Sequence, residues 1–483
     1  MSSEPSDGDS GKVVGAELLA VASRTVVRPV RRGTLRLALT AVLCAIAGAA
    51  MAGCWGGDDQ GNGSKGGGSI NVAIVDNPQM QDLAHLTPSL FTDRTNIKVN
   101  YTILDNGTLR EVTTRDEVAR GRQFDAVMIG PYEAPQFGRD GYIRDLTPKA
   151  SSDAAYRLDD IIPSVRKALS YRGRLFASPF YGESSFLMYR KDVLKDSGVK
   201  MPAHPTWRQV ADIARRIDTP DRAGICMRGK PGWGDLGASF TTVLNTFGGT
   251  WWSAKPDGSV GKAMVDRPAF RKALQFYVDL VRDAGESHAA GASYNQCLGQ
   301  YLSGKVALWY DATVAAGLLE ADNSDVKGKN GYAAAPVART RASGWLWSWA
   351  LAIPTSSSKA DLAWRYISWA SGPQYIKQAG TRIQGGWAAI PGGTRRSTYA
   401  IPEYTKAARA FAGPELDAIE SAPVENPGTS KRPGNPGVQY VGIPEFQDVG
   451  DQCTEQFSAV IRGRSSIDSA LRNCQSIASR VGR

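Results

Sequence analysis

The chain has 483 residues, 42% hydrophobic and 22% charged, with a formal charge of +10. That length exceeds what one hydrophobic core can serve and points to two lobes, while the ordinary apolar and charged fractions exclude a disordered or fibrous chain. Lysine and arginine are spread along the sequence beside acids, so the basic excess fits weak attraction to an anionic cell envelope and not nucleic-acid binding.

The segment "RPVRRGTLRLALTAVLCAIAGAAMAGC" sets Arg28, Arg31, Arg32 and Arg36 before an uncharged run from Leu37 to Gly53. The run is short and alanine-rich for a membrane span, and with its basic flank it reads as an export signal covering residues 1–53. Arg31-Arg32 leaves the choice between the general and twin-arginine routes open. Met51-Ala52-Gly53-Cys54 resembles a bacterial lipobox, which would acylate Cys54 and hold the protein on the outer face of the cytoplasmic membrane; a plain secretory signal is the alternative. Residues 54–69 follow as lipidated cysteine and tether. Seven glycines in residues 55–69 resist packing, and a coil of that length spans about 20 Å.

From residue 70 onward the pattern changes. "SINVAIVDN", 69–77, reads as a buried strand. A helical stretch from about Met80 to Asp93 follows, then a strand "IKVNYTIL", a helix at 108–120 and a strand "FDAVMIG", 124–130. Strands alternating with helices predict an α/β fold with mainly parallel sheets flanked by helices. Ligands bind such sheets beyond the carboxyl ends of the strands, which puts Asp76-Asn77 and "GPYEAP", 130–135, on one rim. Further along, "SGWLWSWALAIP" spaces Trp345, Trp347 and Trp349 two apart, so a strand would present all three indoles on one face. That face is either a core ledge or a platform for something flat and partly apolar.

Of six cysteines, Cys44 leaves with the signal and Cys54 takes the lipid. The remaining Cys226, Cys297, Cys453 and Cys474 are expected to pair as Cys226–Cys297 and Cys453–Cys474, each close in sequence and within one predicted unit. Their spacing does not suit zinc, and no histidine lies near a pair, so neither metal nor cofactor is expected. The last segment, "DQCTEQFSAVIRGRSSIDSALRNC", reads as two helices stapled by the second disulfide, with a structural role.

The stretches "INVAIVDNPQMQDL", "FDAVMIGPYEAPQFGRDGYIRDLTP", "ASPFYGESSFLMYRKDVL", "GKVALWYDATVAAG" and "SGWLWSWALAIPTSSSKADLAWRYISWASGP" resemble the family-1 extracellular solute-binding proteins of ABC sugar importers, across about 70–480 in the expected order. "GICMRGKPGWGD" with "FGGTWWSAKPDG" further resembles the polyol branch, which takes sorbitol and mannitol. The resemblance implies a two-lobed periplasmic-binding-protein-like fold over 70–483, with a hinge and an interlobe cleft. The first lobe would hold about 70–181 and 340–372, the second about 186–335 and 373–483. It implies a monomer that binds a small polyol or sugar, works with ABC permease subunits, and meets the membrane through the lipid on Cys54.

A polyol offers hydroxyls that donate and accept, and C–H faces that pack on rings, so a cleft for it wants polar side chains among aromatics. Asn77, Tyr132 and Glu133 stand on the first-lobe rim. Glu183, in "PFYGESSF" at the first crossing between lobes, falls where maltose-type relatives place a sugar-binding glutamate. Asp311 follows the strand "VALWY" and is either a cleft residue or a helix N-cap. Trp233, Asp235 and Trp251 sit in glycine-rich turns, and Trp387 in the loop "GGWAAIPGG". Trp347, with Trp345 next, is expected to meet the ligand, and Trp349 to join the core. Arg228 and Lys230 stand either along the cleft or simply beside the Cys226 bridge and are not counted as candidates. The rival class, a secreted glycosidase, would need paired carboxylates such as Glu133 and Glu183.

Overall fold

The computed structural model describes residues 67–434 and 437–482. The export signal, Cys54 and residues 55–66 of the tether lie outside the described residues. Where the tether was expected to run to residue 69, the first strand already begins at Gly68, paired with Ile97.

Among the described residues nine strands form the two larger sheets. The first contains β1 (Gly68–Val75), β2 (Ile97–Leu104), β3 (Ala126–Ile129), β4 (Ser178–Glu183) and the late strand β9 (Trp347–Ala352), in the order β2-β1-β3-β9-β4. Strands β1, β2 and β3 are parallel, and β9 runs against both β3 and β4. The second contains β5 (Ser185–Arg190), β6 (Ala223–Cys226), β7 (Val306–Ala312) and β8 (Asn330–Ala334), in the order β8-β5-β7-β6. Only β6 and β7 pair in parallel there, because β5 enters from the first sheet and opposes both of its neighbours. A single residue, Ser184, separates β4 from β5, and the chain returns between β8 and β9. The two α/β lobes are thus joined at these two crossings and once more by the chain that leads to residue 446.

The core follows from unbroken apolar runs. All four residues of β3 and all seven of β7 are buried, as strands covered on both faces require. Among the helices, α1 (Pro78–Thr87) is capped by Asn77, whose Oδ1 accepts from Met80 N at 3.1 Å, and α2 (Asn106–Ala119) is capped by Asp105. In the second lobe lie α3 (Ala238–Thr246), α4 (Pro268–Ala284) and α5 (Tyr294–Leu302). Helix α4 starts on a proline and buries Phe270, Leu274, Tyr277, Val278 and Val281, a stripe of helical period. Helix α6 (Ala360–Ala370) packs on the first sheet, and α7 (Pro373–Gly380) packs on α6 with Tyr375 against Phe180, so the chain past residue 372 stays with the first lobe. Helices α8 (Phe446–Ile461) and α9 (Ile467–Ala478) return to the second lobe.

Both expected disulfides form, Cys226–Cys297 and Cys453–Cys474. Among the described residues no helix is long and apolar enough to cross a membrane, and no cluster of side chains suits a metal ion.

Candidate ligand-binding site

A cavity of about 110 Å³ lies between the lobes. From the first lobe, Asn77 reaches it from the end of β1; having capped α1 with its oxygen, it donates from Nδ2 to the Tyr181 hydroxyl at 3.0 Å. Tyr181 and Glu183 arrive on β4, and Asp105, Asn106 and Arg110 on the first turns of α2. From the second lobe come Arg228 and Lys230 after β6, the Trp233–Asp235 turn, and Ser293, Tyr294 and Asn295 at the start of α5. The second crossing adds Trp345, Trp347 and Trp349.

The tryptophan row is therefore a cavity wall, and Trp349, expected in the core, is part of it. Strand β9 begins only at Trp347, opposite Glu183 of β4. Trp345 precedes the strand and leans toward the second lobe, with its ring 5.8 Å from the Arg228 guanidinium. Gly130 at the end of β3 makes room for the middle ring, since a Cβ there would come within 2.0 Å of Trp347.

Charge on this wall is arranged in pairs. Arg228 donates to Asp311 through Nε at 2.9 Å and Nη2 at 2.6 Å, and from Nη1 to the Gly234 carbonyl at 2.9 Å. Arg110 donates through Nη1 to Glu133 and through Nε to Asn106 Oδ1 at 2.8 Å. Lys230 Nζ lies 3.5 Å from Asp105 and 3.9 Å from Asp235. Among the described residues Glu183 has no such cation in contact. Burial pushes its carboxyl up to about 8; Arg228 opposes the shift and the Asp311 charge adds to it. Burial likewise raises Asp235, against the pull of Arg228 and Lys230.

Of the expected site residues, the structure brings together Asn77, Glu183, Trp233, Asp235, Trp345 and Trp347. Five others stand elsewhere. Glu133 is held behind the wall by Arg110 and the Gly130 N–H, which donates to Oε2 at 2.9 Å. Asp311 is fully buried behind Arg228, where it also accepts from Trp309 Nε1 at 3.2 Å and caps no helix. Tyr132 packs 4.7 Å from the Trp233 ring and donates to the Ile443 carbonyl at 2.9 Å. Trp251 sits in a ring cluster with Phe240, Phe270, Phe446 and Phe457 and belongs to the core. Trp387 covers Gly380 and lines a separate surface depression. Helix α8 does more than close the fold: Asp451 accepts from Trp233 N at 2.7 Å and Thr454 from Gly232 N at 2.8 Å, so it holds the Trp233 turn in place.

The lobes meet directly across the mouth. Asn106 Nδ2 donates to the Gly234 carbonyl at 3.2 Å, and Asn295 Nδ2 to the Asp76 carbonyl at 3.2 Å. With Lys230 and Asp105, these contacts bridge the two lobes beside the cavity.

Two α/β lobes joined by crossing strands, with a polar and aromatic cavity between them, define a two-lobed solute-binding protein. The chain belongs to the bacterial extracellular solute-binding protein family, whose pattern it matches over residues 75–377. It is 38% identical over 418 residues to a mannitol-binding protein of Pseudomonas aeruginosa, covering 85% of this chain and 92% of that one. An erythritol/L-threitol-binding protein of Mycolicibacterium smegmatis is 26% identical over 356 residues, 67% of this chain and 70% of the relative. The crystal structure of an ABC transporter solute-binding protein from Agrobacterium vitis S4 with bound D-mannitol superposes with a TM-score of 0.81 at 39% identity, covering 86% of this chain and 98% of that chain. Family membership places the protein among exported transporter binding proteins.

Proposed function

We propose that the protein captures an acyclic sugar alcohol, D-mannitol or a stereoisomer of it, between its lobes and delivers it to the membrane subunits of an ABC importer. One observation carries the neutral character of the ligand: each of the three cations on the cavity wall is already matched by a carboxylate, Arg110 by Glu133, Arg228 by Asp311, and Lys230 by Asp105 and Asp235. A sugar acid would find no uncompensated cation there. A neutral polyol instead needs groups that donate and accept. Glu183, kept protonated by burial below about pH 8, does both. Asn77, Asp235 and Arg228 supply further hydrogen bonds, the Trp345 ring takes the C–H face, and Trp347 stands beside it on the same wall. The likeness to mannitol-binding relatives supports the same reading.

The role is binding without turnover. A glycosidase pair of Glu133 and Glu183 finds no support, since Glu133 is bound up with Arg110 behind the wall. Export by the N-terminal signal and a diacyl anchor on Cys54 would keep the receptor beside its permease. Micromolar affinity corresponds to about −8 kcal/mol, within reach of several hydrogen bonds of about 1 kcal/mol with one or two ring contacts.

Calorimetric titration with D-mannitol, D-sorbitol, D-arabitol, glucose and maltose tests this. Saturable one-to-one heat with a hexitol, recovered unchanged, is expected. Chemical conversion of the ligand, or heat with cyclic sugars alone, overturns it.

A further inference from the structure

Arg110 stands on the cavity wall among aromatic rings. Its guanidinium lies 4.1 Å from the centroid of Trp233, 4.8 Å from Trp347 and 5.0 Å from Trp349. The three indoles come from both lobes and converge on one point, and that point is filled by this chain's own side chain. Two anchors hold it there: the Glu133 carboxylate, itself pinned by the Gly130 N–H, and Asn106 Oδ1. A flat guanidinium over aromatic faces is a stable arrangement once desolvated. Such faces are also what a sugar ring stacks on.

We propose that Arg110 sets the length of ligand that the cleft accepts. By filling the three-indole box it removes the surface on which a second sugar unit would stack, and it confines the cavity to one short molecule at the Glu183 and Trp345 end. The inference rests on the polyol reading above and makes a separate claim, about volume. Arg110 and Trp233 sit on opposite lobes, so the wedge is complete only in the closed form that the ligand stabilises.

The test compares maltose with D-mannitol on purified wild-type protein and on two double variants, Arg110→Ala/Glu133→Gln and Arg110→Met/Glu133→Gln. The second substitution in each spares the protein an unpaired buried carboxylate. Thermal melts establish that each variant is folded, and the readout is the ratio of the two dissociation constants. The alanine variant should shift that ratio toward maltose by on the order of tenfold or more, as one added ring-stacking contact predicts. The methionine variant, which keeps the box filled without a charge, should leave maltose excluded. A folded alanine variant with no gain for maltose overturns the proposal. So does an equal gain in both variants, which would assign the effect to charge. Should the wild type bind no hexitol, the polyol reading fails, while the appearance of maltose binding in the alanine variant alone still decides the question of length.

Discussion

Glu183 faces Trp347 across the β4–β9 ladder and, among the described residues, has no basic side chain in direct contact, which makes its proton a structural element. Its carboxyl is raised from 4.5 to about 8 in the folded protein, chiefly by burial. The sign of the pH effect follows. Below about pH 4.5 both folded and unfolded chains hold the proton. As pH rises toward 8 only the folded chain keeps it, so the contribution to stability falls and is gone once the folded carboxyl ionises. Glu117, raised to about 8, and Glu415, raised to about 7, act in the same direction. Urea unfolding of Glu183→Gln at pH 5 and pH 8.5 should therefore show a smaller drop in midpoint than the wild type, though not its abolition. The amide also keeps a donor and an acceptor, so Glu183→Gln should bind hexitol better than Glu183→Ala, which loses one or two hydrogen bonds and roughly tenfold in affinity. An unchanged pH slope would mean that Glu183 is ionised in the folded state.

The Cys226–Cys297 disulfide connects the end of β6 to α5, and each segment places side chains on the cavity wall, Arg228 on one side and Tyr294 and Asn295 on the other. Its sequence separation is 71 residues, against 21 for Cys453–Cys474. In the chain-entropy account such loops correspond to about 4 and about 3 kcal/mol of stabilisation. Replacing each pair by serine should lower the melting temperature in both cases, more for the first. Only the Cys226/Cys297 variant should also lose hexitol affinity out of proportion to its lost stability, because it frees two walls of the cavity from each other. Equal affinity losses in the two variants would show that the first disulfide has no special hold on the site. The same elements explain what could be read from sequence. The strand-end rule marked Asn77, and the family resemblance marked the crossing stretches with Glu183, Trp345 and Trp347; all four reach the cavity. The rule also marked Glu133 and Asp311, and each turned out to stand behind an arginine that takes the cavity position. A one-dimensional pattern marks where an ion pair lies but not which partner faces inward, since that is decided by helix α2 and strand β6 packing from distant parts of the chain. Trp251 and Trp387 were misplaced for a related reason: a ring in a glycine-rich loop looks alike whether its neighbours are phenylalanines or solvent.

Hydrogen bonds between the lobes bridge the mouth of the cavity, and in a hinged two-lobed fold entry and exit of a ligand would part them. Bonds across the mouth exist only after closure, and they should govern how long a ligand stays and not how fast it arrives. Gly234 offers a clean probe of this. Its carbonyl accepts from Asn106 Nδ2 on the opposite lobe, and a Cβ built on it would lie 2.9 Å from that nitrogen and 3.2 Å from Arg110 Nε. Its backbone is not in the left-handed region, so alanine there imposes no conformational strain and meets an obstacle only when the lobes close. Gly234→Ala should leave the melting temperature of the ligand-free protein near that of the wild type if the open form dominates without ligand. Loss of the Asn106 bond, worth about 1 kcal/mol, should weaken hexitol binding roughly fivefold. Stopped-flow tryptophan fluorescence separates the two rates, and the whole change is expected in dissociation. A slowed association with unaltered dissociation would place the methyl group in the path of entry, and the contact between α2 and the Trp233 turn would then guard the mouth without securing the closed state.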